Sequence, residues 1–193
     1  MVVYSEYKIN SSGGTIELDL YQIFITHNRA WTIREIVCFS ILFFIVSVIL
    51  FRMVGHRKIA LSQAVAGLLL LLFLGIVFAS TVFTRNPTGV HRYELEVFWS
   101  WKAVYHGSRE MLKENLLNMI LLFPAGLLLP FVVHRKMPWW KGLLIGLTIS
   151  GVIETCQLVF CRGLFEWDDM IHNGFGCMVG CIFSSGLHRC TDN

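Results

Sequence analysis

Charge is what this sequence has least of: 15% of its residues are Asp, Glu, Lys or Arg, while 55% are hydrophobic, and the mean hydropathy is +0.61. A soluble domain carries about a quarter charged residues, so that class is excluded and a small polytopic membrane protein is expected. The formal charge of +3 comes from basic residues scattered through loops, which leaves no stripe for nucleic acid to lie on. No C-x-x-C or H-x-x-x-H pair stands at ligand spacing, and His172 with Cys177 alone makes no site, so no metal is expected. There is no nucleotide-binding loop and no Ser-His-Asp arrangement, so no cofactor is expected either. The apolar core of a cleaved signal peptide is also missing, since the first long apolar run begins only near Ile36.

Six cysteines are present, but Cys38, Cys156, Cys177 and Cys181 fall inside apolar runs, Cys161 at the end of one and Cys190 in the tail. They read as small apolar fillers more readily than as a disulfide framework. Residues 1–35 mix Ser, Gly, Glu and aromatics, and the alternation of Ile16, Leu18 and Leu20 suits a short strand or an interfacial segment.

A run of about 18 apolar residues, rising ~1.5 Å per residue, crosses a hydrocarbon core of about 30 Å. Five such runs are expected as helices, near 36–54, 59–83, 116–133, 139–160 and 170–187, giving an all-α membrane protein. Pro124 and Gly126 should kink the third and free a carbonyl near Ile120. The short loops 52–58 and 134–141 hold Arg52, Arg57, Lys58, Arg135, Lys136 and Lys141, which the positive-inside rule places in the cytoplasm. The N-terminus is then outside and the C-terminus cytoplasmic. The loop 84–113 interleaves Phe98, Trp99, Trp101 and Tyr105 with charges, as an interfacial segment or an irregular anchored connector would.

Polar residues inside these runs carry the functional signal, because ionisable groups in hydrocarbon are costly. Gly142, Gly146, Ser150 and Glu154 recur every fourth residue and Gln157 follows three later, so a small-residue seam leads to a carboxylate and an amide on one helix face. Asn173, Gly176, Gly180 and Ser184 form a matching seam on the last helix, the natural partner of the first. Counting crossings brings Asn118, Glu154, Gln157, Asp169 and Asn173 into one layer near the outer leaflet, with Arg85 and Arg162 as counter-charges. Two plainer readings stand beside this one. The amides and carboxylates can simply fix helix register, at about 0.6 kcal/mol per hydrogen bond. Asp168 and Asp169 can cap the helix they precede. His91, His106 and His172 lie on the same side and read as solvated bystanders.

Three stretches together carry a family resemblance: Asn118 to Gly126 as N-x5-P-x-G, Glu154 to Gln157 as E-x2-Q, and Glu166 to Gly176 as D-x2-D-x3-N-x2-G with Glu in the first place. In order and spacing they resemble the VanZ-like family of bacterial membrane proteins, with Arg85 similar to a basic residue after that family's first helix. The resemblance implies a four-helix core over 59–187, an added helix and cytoplasmic loop over 36–58, a cytoplasmic tail over 188–193, and a place in the bacterial cytoplasmic membrane. Because the family is associated with resistance to the glycopeptide antibiotic teicoplanin, it implies an envelope protein whose partners are membrane lipids, a lipoglycopeptide or a cell-wall precursor. Arg85, Asn118, Glu154, Gln157, Arg162, Glu166, Asp168, Asp169 and Asn173 are the candidate ligand-binding residues. An intramembrane enzyme is the alternative, with Glu154 or Asp169 as general base and an arginine on a phosphate or oxyanion. A structural helper subunit is the third reading.

Overall fold

The computed structural model describes residues 29–191; the expected strand around Ile16 lies outside them. The chain is all-α in its membrane part, and four helices are long and apolar enough to cross a bilayer. The first, α1 (Ile33–Gly55), starts where Thr32 and Glu35 close a capping box: the Glu35 carboxylate accepts the Thr32 N–H at 2.9 Å and Thr32 Oγ1 accepts the Glu35 N–H at 3.4 Å. Helix α2 (Leu61–Phe78) continues into a π-helical turn, Ala79–Phe83, in which the Thr84 N–H reaches the Ala79 carbonyl at 2.9 Å. Widening the helix there leaves the carbonyls of residues 81–83 for partners elsewhere in the chain.

After a strand, β1 (Arg92–Glu94), and a short helix, α3 (Trp99–Tyr105), the third crossing comes in two pieces, α4 (Arg109–Leu121) and α5 (Phe123–Val133). Pro124 has no N–H to offer the Ile120 carbonyl, so the helix breaks at Leu122. The carbonyl expected to be freed instead accepts the Leu122 N–H in a tight local bond. Helix α6 (Trp139–Val159) is the fourth crossing. A strand, β2 (Leu164–Glu166), pairs in parallel with β1, Tyr93 opposite Phe165 and Glu94 opposite Glu166, and leads into α7 (Trp167–Thr191). This two-stranded clamp, which hydropathy could not reveal, ties the long loop to the entry of α7.

Helix α7 is 25 residues long but carries buried Asp168, His172 and Asn173 in its first two turns, and it is not among the four apolar spans. It packs against α4, α5 and α6 at once. Its two sides do so by different means, which corrects the expectation that the two glycine seams meet. Gly142 and Gly146 of α6 face Cys181, Cys177 and Gly174, whereas Gly176 and Gly180 of α7 face the backbone of α4 and α5. A Cβ on Gly176 would stand 1.7 Å from the Met119 carbonyl oxygen, and one on Gly126 would stand 2.1 Å from that of Cys177. Residues 173, 174, 177 and 181 lie along one stripe of α7 while 176 and 180 lie about 100° round the helix, so the small residues serve two neighbours. The core between them holds Val82, Leu122, Ile153, Cys177 and Cys181, the cysteines acting as buried fillers.

Candidate functional site

The polar side chains gather where α2 and α6 end and α7 begins, against the middle and second half of α4. On α6 the seam leads where the spacing predicts: Ser150, Glu154 and Gln157 are all buried, and Glu154, 2% exposed, turns into protein. Its Oε2 accepts the Glu166 N–H at 3.1 Å, so the carboxylate fixes the exit of β2. One turn earlier, Ser150 Oγ accepts from the Asn173 amide at 2.8 Å and locks α7 to α6. Gln157 donates to the Thr81 carbonyl at 3.0 Å, using one of the acceptors exposed by the π-helical turn.

Asp168 and Asp169 are adjacent but serve different elements, as residues about 100° apart on a helix must. Asp169 accepts from the Asn118 amide and so joins α7 to α4. Asp168 turns the other way and caps α3: its oxygens take the Phe98 N–H, the Ser100 N–H at 3.0 Å and the Ser100 hydroxyl at 2.6 Å. Capping does occur, but of a helix nearly seventy residues upstream and not of the one Asp168 begins. Phe98 adopts φ 62°, a left-handed turn that aims two amides at one carboxylate. Trp101 of α3 donates from Nε1 to His172 Nε2 at 2.7 Å, so His172, expected as a solvated bystander, is a buried acceptor on α7.

The two arginines also part company. Arg162 caps the end of the π-helical turn, donating to the Val82 carbonyl at 3.2 Å and to that of Phe83. Arg85 is the cation of the carboxylate layer. Its guanidinium lies against Gly163 beside the Gln157 side chain, because a Cβ on Gly163 would meet Gln157 Oε1 at 2.8 Å and an Arg85 nitrogen at 3.1 Å. It acts electrostatically on Glu114, Glu154 and Asp169. Yet among the described residues the ion pairs within 4 Å are Arg29 with Glu35 and Lys102 with Glu96, neither of them in this layer.

Glu166 sits on β2, where burial first and then Asp169, Glu114 and Asp168 push its carboxyl up to about 8. The shift favours the protonated acid, which can donate as well as accept. Glu114 and Ser150 complete the group and were not among the candidates; Glu114 lies one helical turn before Asn118, a spacing that was readable. The arrangement therefore offers one cation, several carboxyl groups and amides, side by side beneath a helix rich in aromatics.

Apolar bilayer-length helices carrying a buried polar layer at one end define a multi-pass α-helical membrane protein. The VanZ/LLP1 family model matches residues 64–188, and the chain belongs to that family. No curated protein and no solved structure matches it. The matched region takes in the whole polar layer and leaves α1 outside.

Proposed function

We propose that this VanZ-family protein resides in a bacterial cytoplasmic membrane, its N-terminus outside, and engages the polar headgroup of an envelope amphiphile at the outer leaflet. Lowered susceptibility to teicoplanin-like lipoglycopeptides follows from that engagement. The observation that carries the reading is Arg85, which lies among Glu114, Glu154 and Asp169 without an ion pair to any of them within 4 Å among the described residues. A guanidinium so placed, with carboxylates and amides around it, has the donors and acceptors that sugar hydroxyls and amide groups need, and the surrounding helices offer hydrocarbon to an acyl chain. The test is lipid and cell-wall precursor profiling with and without the protein, alongside teicoplanin and vancomycin susceptibility. An unchanged profile with an altered teicoplanin response supports binding; no change in either ends the proposal.

The same observation supports a second reading, an intramembrane enzyme in which Glu154 or Asp169 is the general base and Arg85 holds a phosphate or oxyanion. A changed lipid or precursor profile that reverts with Glu154→Gln, while the variant remains in the membrane at the normal level, selects it over simple binding.

A further inference from the structure

Helix α1 has no buried residue along its 23 positions, and it rests on α2 through Phe39, whose ring lies over Gly75. Between the two helices, toward the N-terminus of α1, a cavity of about 530 Å³ opens, walled by Leu42, Leu71, Leu74, Phe78 and Phe83. That volume lies in the ordinary range for small-ligand sites, about 300–1,000 Å³. Both walls belong to helices apolar enough to cross a bilayer, so the cavity lies at hydrocarbon depth. Water finds no partners on such walls, and an empty void forfeits the dispersion contacts of everything lining it. A hydrocarbon chain fits where neither does.

The rim states what that chain should be attached to. Arg29 is bound to the Glu35 carboxylate, its Nη1 donating at 3.2 Å, so those two charges cancel. Arg34 projects from the same turn, exposed, with no acidic partner among the described residues, and within those residues it gives the rim its net positive charge. Trp31 completes the rim with a ring of the kind that sits at headgroup depth. A phosphate meets the geometric preference of the guanidinium, whereas a zwitterionic headgroup brings its own cation.

We infer that the cleft between α1 and α2 holds an acyl chain of an anionic glycerophospholipid whose phosphate is met by Arg34. One wall is α1, outside the region the family model matches, so the site belongs to this chain's added helix and is independent of the Arg85 layer.

The test uses the full chain in vesicles of equal parts phosphatidylcholine and phosphatidylglycerol, doped with either lipid carrying a photoactivatable diazirine in its acyl chain, with adducts mapped by mass spectrometry. Phosphatidylglycerol adducts should concentrate on residues 38–42 and 71–79, about fivefold over phosphatidylcholine, the factor one basic side chain contributes near the membrane surface. Arg34→Gln should remove that preference. Leu74→Trp, and separately Leu71→Trp, should fill the cleft and abolish the concentration of adducts there. Equal labelling by the two lipids, adducts spread evenly over all lipid-facing helices, or labelling unmoved by both tryptophan variants overturns the inference.

Discussion

The carboxylate of Asp168 holds Ser100 twice, through its backbone N–H at 3.0 Å and its hydroxyl at 2.6 Å, and so fastens the short helix α3 over the start of α7. With Trp101 bonded to His172 one turn further on, the aromatic helix is hydrogen-bonded to the polar layer through side chains of α7. Asp168→Ala should release it. Loss of a cap costs about 0.5–2 kcal/mol, and here two amides and a hydroxyl lose their acceptor together, so the upper part of that range is expected. Limited proteolysis within 84–108 should accelerate while the membrane helices stay protected; unchanged cleavage would show that α3 is held by something else.

Glu154 separates shape from charge. Glu154→Gln keeps an oxygen for the Glu166 N–H, whereas Glu154→Ala leaves that donor short of its acceptor at a cost of about 1–3 kcal/mol. In detergent, Glu154→Gln should therefore melt close to the parent and Glu154→Ala well below it. If both melt alike, the bond to β2 contributes little. If Glu154→Gln folds normally but fails to change teicoplanin susceptibility, ionisation itself is what the function uses.

Glu166 should contribute its own share of the pH dependence. Its carboxyl is raised from 4.5 to about 8, which means that the fold favours the protonated acid. The corresponding stabilisation is complete below about 4.5 and is lost as pH rises through about 8. Thermal stability should accordingly decline across that window, and Glu166→Gln, permanently neutral, should make the decline shallower by the share of this one group. A profile with the same slope in both proteins would assign the loss to another group.

Much of this architecture was legible in the sequence, for reasons that differ by residue. The spans follow from apolar runs that only hydrocarbon accommodates, and Ser150, Glu154 and Gln157 share a buried face because helical spacing fixes it. The partners of Asp168 and Arg162 were not legible. Asp168 depends on a left-handed Phe98 that no local pattern demands, and Arg162 depends on a π-helical turn in which Ala79–Phe83 looks like continued helix. The glycine seams misled because α7 presents small residues on two faces, and spacing alone does not say which neighbour meets which.

Those two faces give the sharpest steric prediction. Gly176 has the Met119 carbonyl oxygen 1.7 Å from where its Cβ would be, and backbone cannot step aside as a flexible side chain would. Gly176→Ala should cost at least the 1–3 kcal/mol typical of overpacking, because α4 must move away from α7 and the Asn118 bond to Asp169 stretches with it. Gly55→Ala, with nothing within 4 Å, removes a glycine from helix C-terminal backbone and should change stability little. Measured side by side in detergent, the first variant should lose tens of per cent of folded material on mild heating and the second should not, with teicoplanin susceptibility following the first. Equal stability of the two would mean that α4 and α7 lie further apart than the contact at Met119 requires.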